Sequence, residues 1–167
     1  LQIARIEAGR LELDLQMTNL SLVVSSAVAS YRKTAEDKGL SLMCELPANP
    51  VRIRVDTHWF NRVLSELIEN AINYTPEGEI TVTVQVHTLD GRAWAVCVIQ
   101  DTGMGIPAEE QAHIFKRFFR GEQPRTEQIS GTGLGLAIAR SILDLHGGRI
   151  GVESEPDQGS RFTVWIP

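Results

Sequence analysis

Apolar residues recur along the chain in two rhythms, and the change from one to the other divides it into elements. Over 57–73 they fall three and four apart, at Phe60, Val63, Leu64, Leu67, Ile68 and Ala71. This spacing predicts a long amphipathic helix capped by Asp56 or Thr57 and ended by Pro76-Glu-Gly78. A second helix is predicted from Asn19 or Ser21 to about Asp37, with Val24, Ala27, Val28 and Tyr31 on one side and Lys38-Gly39 ending it. A third runs from about Leu134 to His146 and stops at Gly147-Gly148. Alternating or short apolar runs predict strands at 40–46, 51–55, 79–88, 92–100, 149–154 and 160–166. A Pro-Ala-Asn-Pro turn splits the first two, Asp90-Gly91 joins the third and fourth as a hairpin, and Pro-Asp-Gln-Gly turns between the last two. Ahead of these, Ile3, Ile6 and Leu11 suggest a helix end with Gly9 as its C-cap, and Leu11-Glu-Leu13-Asp-Leu15 an extended linker. A tail this short would need a partner helix to bury its apolar stripe. The elements add up to an α/β two-layer sandwich, a mixed and mainly antiparallel sheet with helices on one face.

Residues 101–132 break the pattern. They are rich in Gly, Pro, Gln, Arg and Glu apart from the aromatics at 115–119. A weakly apolar segment of that length inside a compact domain is often a functional lid. Length and composition then bound the rest: 167 residues suit one domain with a short appendage, and 43% apolar with 22% charged residues is ordinary for a globular protein. A net charge of -5 argues against a nucleic-acid binder that relies on a basic surface. Lys33, Lys38 and Lys116 are the only lysines, so phosphate contacts must come mostly from arginine and backbone amides. Cys44 and Cys97 lie in apolar strands and are expected as buried, reduced thiols. No apolar run approaches the ~20 residues of a spanning helix, and no basic-then-apolar leader is present.

Four short elements carry the candidate chemistry. Glu66, Asn70 and Asn73 share the polar side of the 57–73 helix, where a carboxamide oxygen suits a hard cation and a carboxylate can orient or deprotonate water. Asp101-Thr-Gly-Met-Gly105 puts a carboxylate at a strand end, an acceptor suited to the amine and ring nitrogen of adenine, before glycines that permit close backbone approach. Gly131-Thr-Gly-Leu-Gly135 leads into a helix, whose N-terminal amides can hold phosphate. It is neither a P-loop, lacking the Lys-Ser or Lys-Thr, nor a good dinucleotide fingerprint, lacking the preceding strand. Between them Lys116, Arg117, Arg120 and Arg125 could reach a terminal phosphate from a lid that Phe115, Phe118 and Phe119 anchor on the domain. Ser130 and Ser160 have no evident paired base, and His58, His87, His113 and His146 are too scattered for a zinc site. Each element alone is weak. Their order and gaps suggest a protein that binds a nucleotide and a divalent metal.

From about residue 16 to 167 this set resembles the catalytic, ATP-binding domain of sensor histidine kinases, within the gyrase, Hsp90, histidine kinase and MutL superfamily. Glu66 to Pro76 is similar to the N box, Asp101 to Gly105 and Gly131 to Gly135 to two glycine boxes, Phe115 to Phe118 to the F box, and Gly159-Ser160 to the last box. The resemblance implies the Bergerat-type fold, with residues 1–15 as the end of a dimerisation helix and linker and about 106–132 as an ATP lid. It implies that Asn70, with Glu66 beside it, holds Mg²⁺ bridging the phosphates of ATP, that Asp101 reads adenine and that Tyr74 flanks the nucleotide. Asn73, Gly103, Gly105 and Ile106, and the run Gly131, Thr132, Gly133, Leu134, Gly135 and Leu136, complete the implied ATP-binding set. Glu66, Arg117 and Arg120 are the implied catalytic residues, with either arginine meeting the γ-phosphate. Two positions depart from the family pattern: Glu66 and Asn73 stand where many of these kinases have Asn and a basic residue. A Glu at the first position is what hydrolysing members use to activate water.

No histidine here sits in a phosphoacceptor context, so the implied reaction is γ-phosphoryl transfer to a histidine on a separate dimerisation domain, for relay to a response regulator. The implied partners are that domain and the regulator's receiver domain, with no nucleic acid and no direct membrane contact from this segment. The domain is expected to be cytoplasmic and monomeric, with a dimeric parent whose membrane attachment stays open. The alternatives are an ATP-hydrolysing relative using Glu66 as base, and a non-catalytic nucleotide- or partner-binding module.

Overall fold

The computed structural model describes residues 2–122 and 129–167. In chain order its elements are α1 (Gln2–Glu7), β1 (Gln16–Asn19), α2 (Leu20–Asp37), β2 (Ser41–Glu45), β3 (Arg52–Val55), α3 (Thr57–Tyr74), β4 (Glu79–Leu89), β5 (Arg92–Asp101), α4 (Ala108–Gln111), α5 (Gly135–Leu145), β6 (Arg149–Glu155) and β7 (Gly159–Ile166). Five strands form one sheet in the order β2-β4-β5-β7-β6, parallel only between β2 and β4. Helices α2, α3 and α5 cover one face, as the alternation of the strands requires. Ile80, Val82 and Val84 of β4, Cys97 and Ile99 of β5, and Phe162, Val164 and Ile166 of β7 point into the same core as Phe60, Leu64, Leu67, Ile142 and Leu143. Fully burying each such side chain contributes about 1.5–3 kcal/mol. Cys97 is a free thiol in this core, its pKa pushed up to about 12 by burial; Cys44 is free and half-buried.

Three features differ from the sequence expectation. Residues 16–19 form a strand that the sequence reading does not include, pairing antiparallel with β3 in a separate two-stranded sheet. The strands on either side of Pro-Ala-Asn-Pro therefore belong to different sheets, β2 running parallel to β4 and β3 pairing with β1. The N-terminal tail also finds apolar cover without a second helix of its own kind. Ile6 is 3% exposed, α1 packs on α5, and Leu11 lies against the core. The side chain of Ile3 and the whole of Arg125 lie outside the described residues.

Asp56 ties the layers together. Its Oδ1 accepts from the amides of His58 (3.1 Å) and Trp59 (3.3 Å) and so caps α3, while Oδ2 accepts from the Asp14 amide at 3.0 Å. Its own amide donates to Nε2 of buried His146 at 3.1 Å. The other ring nitrogen of His146 lies 2.7 Å from the Ile142 carbonyl and must be its donor, which fixes the tautomer.

The opposite sheet face has its own apolar layer. Val96 and Val98 are 2% and 4% exposed although their neighbours Cys97 and Ile99 point the other way. Trp165 pairs with Val96, and the Arg149 guanidinium lies 5.0 Å from the Trp94 ring and 5.1 Å from the Trp165 ring, with Arg92 4.9 Å from Trp94. Guanidinium groups over these rings help to shield this face.

Candidate nucleotide site

The apolar arc of α3 is buried against the sheet, so residues on its other side meet the space between α3 and α5. Glu66, Asn70, Asn73 and Tyr74 all border a cavity of about 490 Å³ there, within the range of small-molecule sites. Lys38 closes the end of α3 by donating to the carbonyls of Ile72 and, at 3.2 Å, Asn73. Partial burial lowers the pKa of that ammonium.

The second glycine run forms the facing wall. Gly131, Thr132, Gly133, Leu134, Gly135 and Leu136 border the same cavity, with Gly135 opening α5. Their glycines do different jobs. A Cβ on Gly131 meets nothing within 4 Å, whereas Gly133 has φ +71 and its Cβ would strike the Phe118–Phe119 backbone. A Cβ on Gly135 would stand 2.2 Å from Oε2 of Glu66, so the bare backbone there makes room for that carboxylate. Burial raises the pKa of Glu66, partly offset by its ion pair with Arg62.

A narrower chamber adjoins the first, and Asn70, Tyr74, Ile114, Phe119, Arg120 and Leu136 border both. Asp101 lies in it, 5% exposed at the end of β5. Its Oδ1 accepts from the amides of Gly103 (2.8 Å) and Ser160 (3.3 Å), so Oδ2 is the oxygen that a ligand can engage. Burial raises the pKa of Asp101, with the Gly103 and Ser160 amides and the Thr75 hydroxyl opposing. That hydroxyl is close enough to favour the charged carboxylate, yet it is fully buried and forms no hydrogen bond of ordinary geometry. Gly105 and Ile106 border this chamber; Gly103 borders neither. Close approach at these glycines is of chain to chain. A Cβ on Gly103 would lie 2.3 Å from the Tyr74 carbonyl oxygen, and one on Gly105 would lie 1.9 Å from that of Glu155.

Over the site, Ile106 and Gln111 fasten the start of the 106–132 segment to β6 through Ser154. Its far part returns through Phe118 N–H to Gly133 O at 2.9 Å and Arg120 to the Ile129 carbonyl. Phe115 and Phe119 anchor it on the core as expected. Phe118 does not: it is 71% exposed with φ 60, because the turn that reaches Gly133 points it outward. Arg120 borders both chambers and its charge opposes the burial-driven rise in the Tyr74 pKa; Arg117 borders neither.

The donor set fits a magnesium nucleotide. The large cavity holds two carboxylates, Glu66 and Glu69, against Arg62 and Arg120, so an entering polyphosphate needs an added cation. Among the described residues no group of three or more His, Cys, Asp or Glu could hold a metal alone. Mg²⁺ keeps several waters and uses few protein ligands alongside phosphate oxygens, which Asn70 with Glu66 can supply. The buried Asp101 carboxylate, which borders the narrower chamber, suits the amine of a base.

Comparison with known proteins identifies this arrangement. The family described as histidine kinase-, DNA gyrase B- and HSP90-like ATPase matches residues 55–167. The chain belongs to that family. It is 37% identical over 171 residues to the circadian input-output histidine kinase CikA of Synechococcus elongatus, covering 100% of this chain and 22% of CikA. Full-length ShkA, solved in complex with AMPPNP, superposes with a TM-score of 0.84 at 26% identity over 99% of this chain and 33% of that one. The nucleotide-free catalytic domain of histidine kinase ThkA gives 0.78 at 27% identity, over 93% of this chain and 96% of that one. The chain thus spans about a fifth of CikA and a third of ShkA. It is an ATP-binding catalytic domain homologous to those of histidine kinases, with the Bergerat arrangement of sheet and helices. Among the described residues, no helix is long and apolar enough to cross a membrane.

The sequence reading omits Arg62 and Glu69, which border the large cavity. Both could be read from their positions on the polar side of α3, four before and three after Glu66.

Proposed function

We propose that this domain transfers the γ-phosphoryl group of ATP to a histidine on a separate dimerisation domain, the step that feeds a response regulator. The observation that carries this reading is the convergence of Asp101, Asn70 and the N-terminus of α5 on two adjoining chambers. In this reading Asp101 accepts from the adenine amine, Tyr74 lies along the nucleotide, and the amides leading into α5 receive the phosphates. Magnesium at Asn70, with Glu66 beside it, would neutralise phosphate charge. Arg120 is better placed than Arg117 for the γ-phosphate, since it borders both chambers. An imidazole nitrogen attacks the γ-phosphorus as its bond to the β-bridging oxygen breaks, and ADP departs. Residues 106–132 act as the lid, 16–167 as the catalytic unit, and 1–15 as the lead from the dimerisation helices; the proposed setting is cytoplasmic.

The test is calorimetric titration with a non-hydrolysable ATP analogue, with and without Mg²⁺, for the wild type and Asn70→Ala. Phosphotransfer to a supplied dimerisation domain from a related kinase is then measured. Magnesium-dependent binding, weakened in Asn70→Ala, and labelled phosphohistidine are expected. No binding by folded wild-type protein would overturn the reading.

One observation favours hydrolysis as a second activity. The Glu66 carboxylate lies against the first residue of α5, where a water beside the terminal phosphate would stand in this reading.

A further inference from the structure

Glu66 has a neighbour for which the transfer reaction has no use. Arg62, one turn earlier on α3, forms an ion pair with Oε1 of Glu66. The other oxygen, Oε2, occupies the space that a Cβ on Gly135 would need. The carboxylate is therefore held between a guanidinium and the first turn of α5, whose helix dipole also favours an anion. The two side chains differ in exposure: Glu66 is 16% exposed and Arg62 54%. Arg62 borders the nucleotide cavity on one side and, on the other, an outer groove that Ile6, Trp59 and Ile138 also line.

This pairing matters because of what an unrestrained Glu66 could do. A carboxylate beside the γ-phosphate can take a proton from water. The water oxygen then bonds to the γ-phosphorus, the bond from that phosphorus to the β-bridging oxygen breaks, and the electron pair leaves with ADP. Such hydrolysis would consume the ATP bound for a histidine. A carboxylate paired through one oxygen with a guanidinium is a weaker base and is fixed in orientation, so its other oxygen takes a proton from water less readily.

We propose that Arg62 is a positioning residue that restrains Glu66 from activating water, so that bound ATP is kept for phosphoryl transfer. The inference rests on the reading of this cavity as the triphosphate site. It assigns Arg62 to neither ATP nor metal. Its action is through Glu66 alone.

The experiment measures phosphate release from the 167-residue chain in wild type, Arg62→Gln, Arg62→Lys, Glu66→Gln and the Arg62→Gln/Glu66→Gln double variant. Arg62→Gln is expected to raise kcat by about tenfold, below the full 10²–10⁴ range of general-base catalysis, with KM changed less than about twofold. Arg62→Lys keeps the charge and should bring the rate back toward wild type. The double variant should lose the gain. A second reading needs neither nucleotide nor metal: the Gly135 amide resonance should shift in Arg62→Gln and return toward its wild-type position in Arg62→Lys. No increase in Arg62→Gln, including no detectable hydrolysis in either protein, overturns the proposal. So does an increase that survives Glu66→Gln. Analogue binding measured on the same samples separates the two failures: bound analogue with no gain in Arg62→Gln defeats only the restraint, whereas no bound analogue defeats the site itself.

Discussion

Asp101→Asn should weaken nucleotide binding without weakening the fold, and both halves follow from how the carboxylate is held. The side chain is 5% exposed, and its Oδ1 accepts from the Gly103 amide at 2.8 Å and the Ser160 amide at 3.3 Å. Asparagine can keep Oδ1 in place. What changes is the second oxygen, which becomes a carboxamide NH₂ and, in the proposed contact, would meet the adenine amine as donor against donor. Losing a hydrogen bond to a charged acceptor costs about 1.5–3 kcal/mol. That corresponds to roughly ten- to a hundredfold in Kd at 1.4 kcal/mol per decade. For the fold the sign is opposite. Burial holds the Asp101 pKa above its ordinary value in the native state. The native protein therefore binds more protons than the unfolded chain between the two pKa values, and stability falls as pH rises through that window. The contribution is fully present below the unfolded pKa and lost above the folded one. Asparagine has no such dependence, so the stability of Asp101→Asn minus that of wild type should grow as pH rises from the acid side to neutral. Urea unfolding across a pH series and analogue titration at neutral pH read the two effects. Unchanged affinity would refute the adenine contact. A variant that loses stability relative to wild type as pH rises would show that the amides outweigh burial.

Two further expectations concern the frame. Gly105→Ala should destabilise the domain by about 2 kcal/mol or more, from the left-handed backbone at φ +67 and a Cβ placed 1.9 Å from the Glu155 carbonyl oxygen. Gly131→Ala, whose Cβ meets nothing within 4 Å, should melt with the wild type. Equal losses in thermal melts would mean that chain-to-chain packing does not distinguish these two positions. His146→Phe removes the acceptor for the Asp56 amide and should cost about 1–3 kcal/mol in urea unfolding, the usual penalty for a stranded polar group. A loss well below that range would show that the amide finds another acceptor.

What the sequence discloses follows physical range. Helices α3 and α5 and the β4–β5 hairpin are legible because their apolar spacing, caps and Asp90-Gly91 turn act within a few residues. The polar strand β1 is not, because its half-exposed pattern carries no alternation and its partner β3 lies far along the chain. The separation of β2 and β3 into different sheets is invisible for the same reason: pairing is a long-range choice that a connecting turn does not encode. In the site, Asn70, Tyr74, Asp101 and the 131–136 run are recognisable from their order, and the structure gathers them. The division of labour among the glycines is different. It depends on which carbonyl or carboxylate arrives from another element, and no local spacing contains that information.

The aromatic arrangement decides how the protein can be watched. Trp94 and Trp165 sit under arginines on the sheet face away from the helices, and Trp59 borders the outer groove beside α1. None of the three lines either nucleotide chamber, whereas Tyr74 borders both. Intrinsic tryptophan emission is therefore an optical gauge of the scaffold, quenched or shifted when the sheet face opens and nearly blind to an occupant of the chambers. Light emitted from this molecule describes its integrity. Its occupancy has to be read from a fluorophore carried in on the nucleotide.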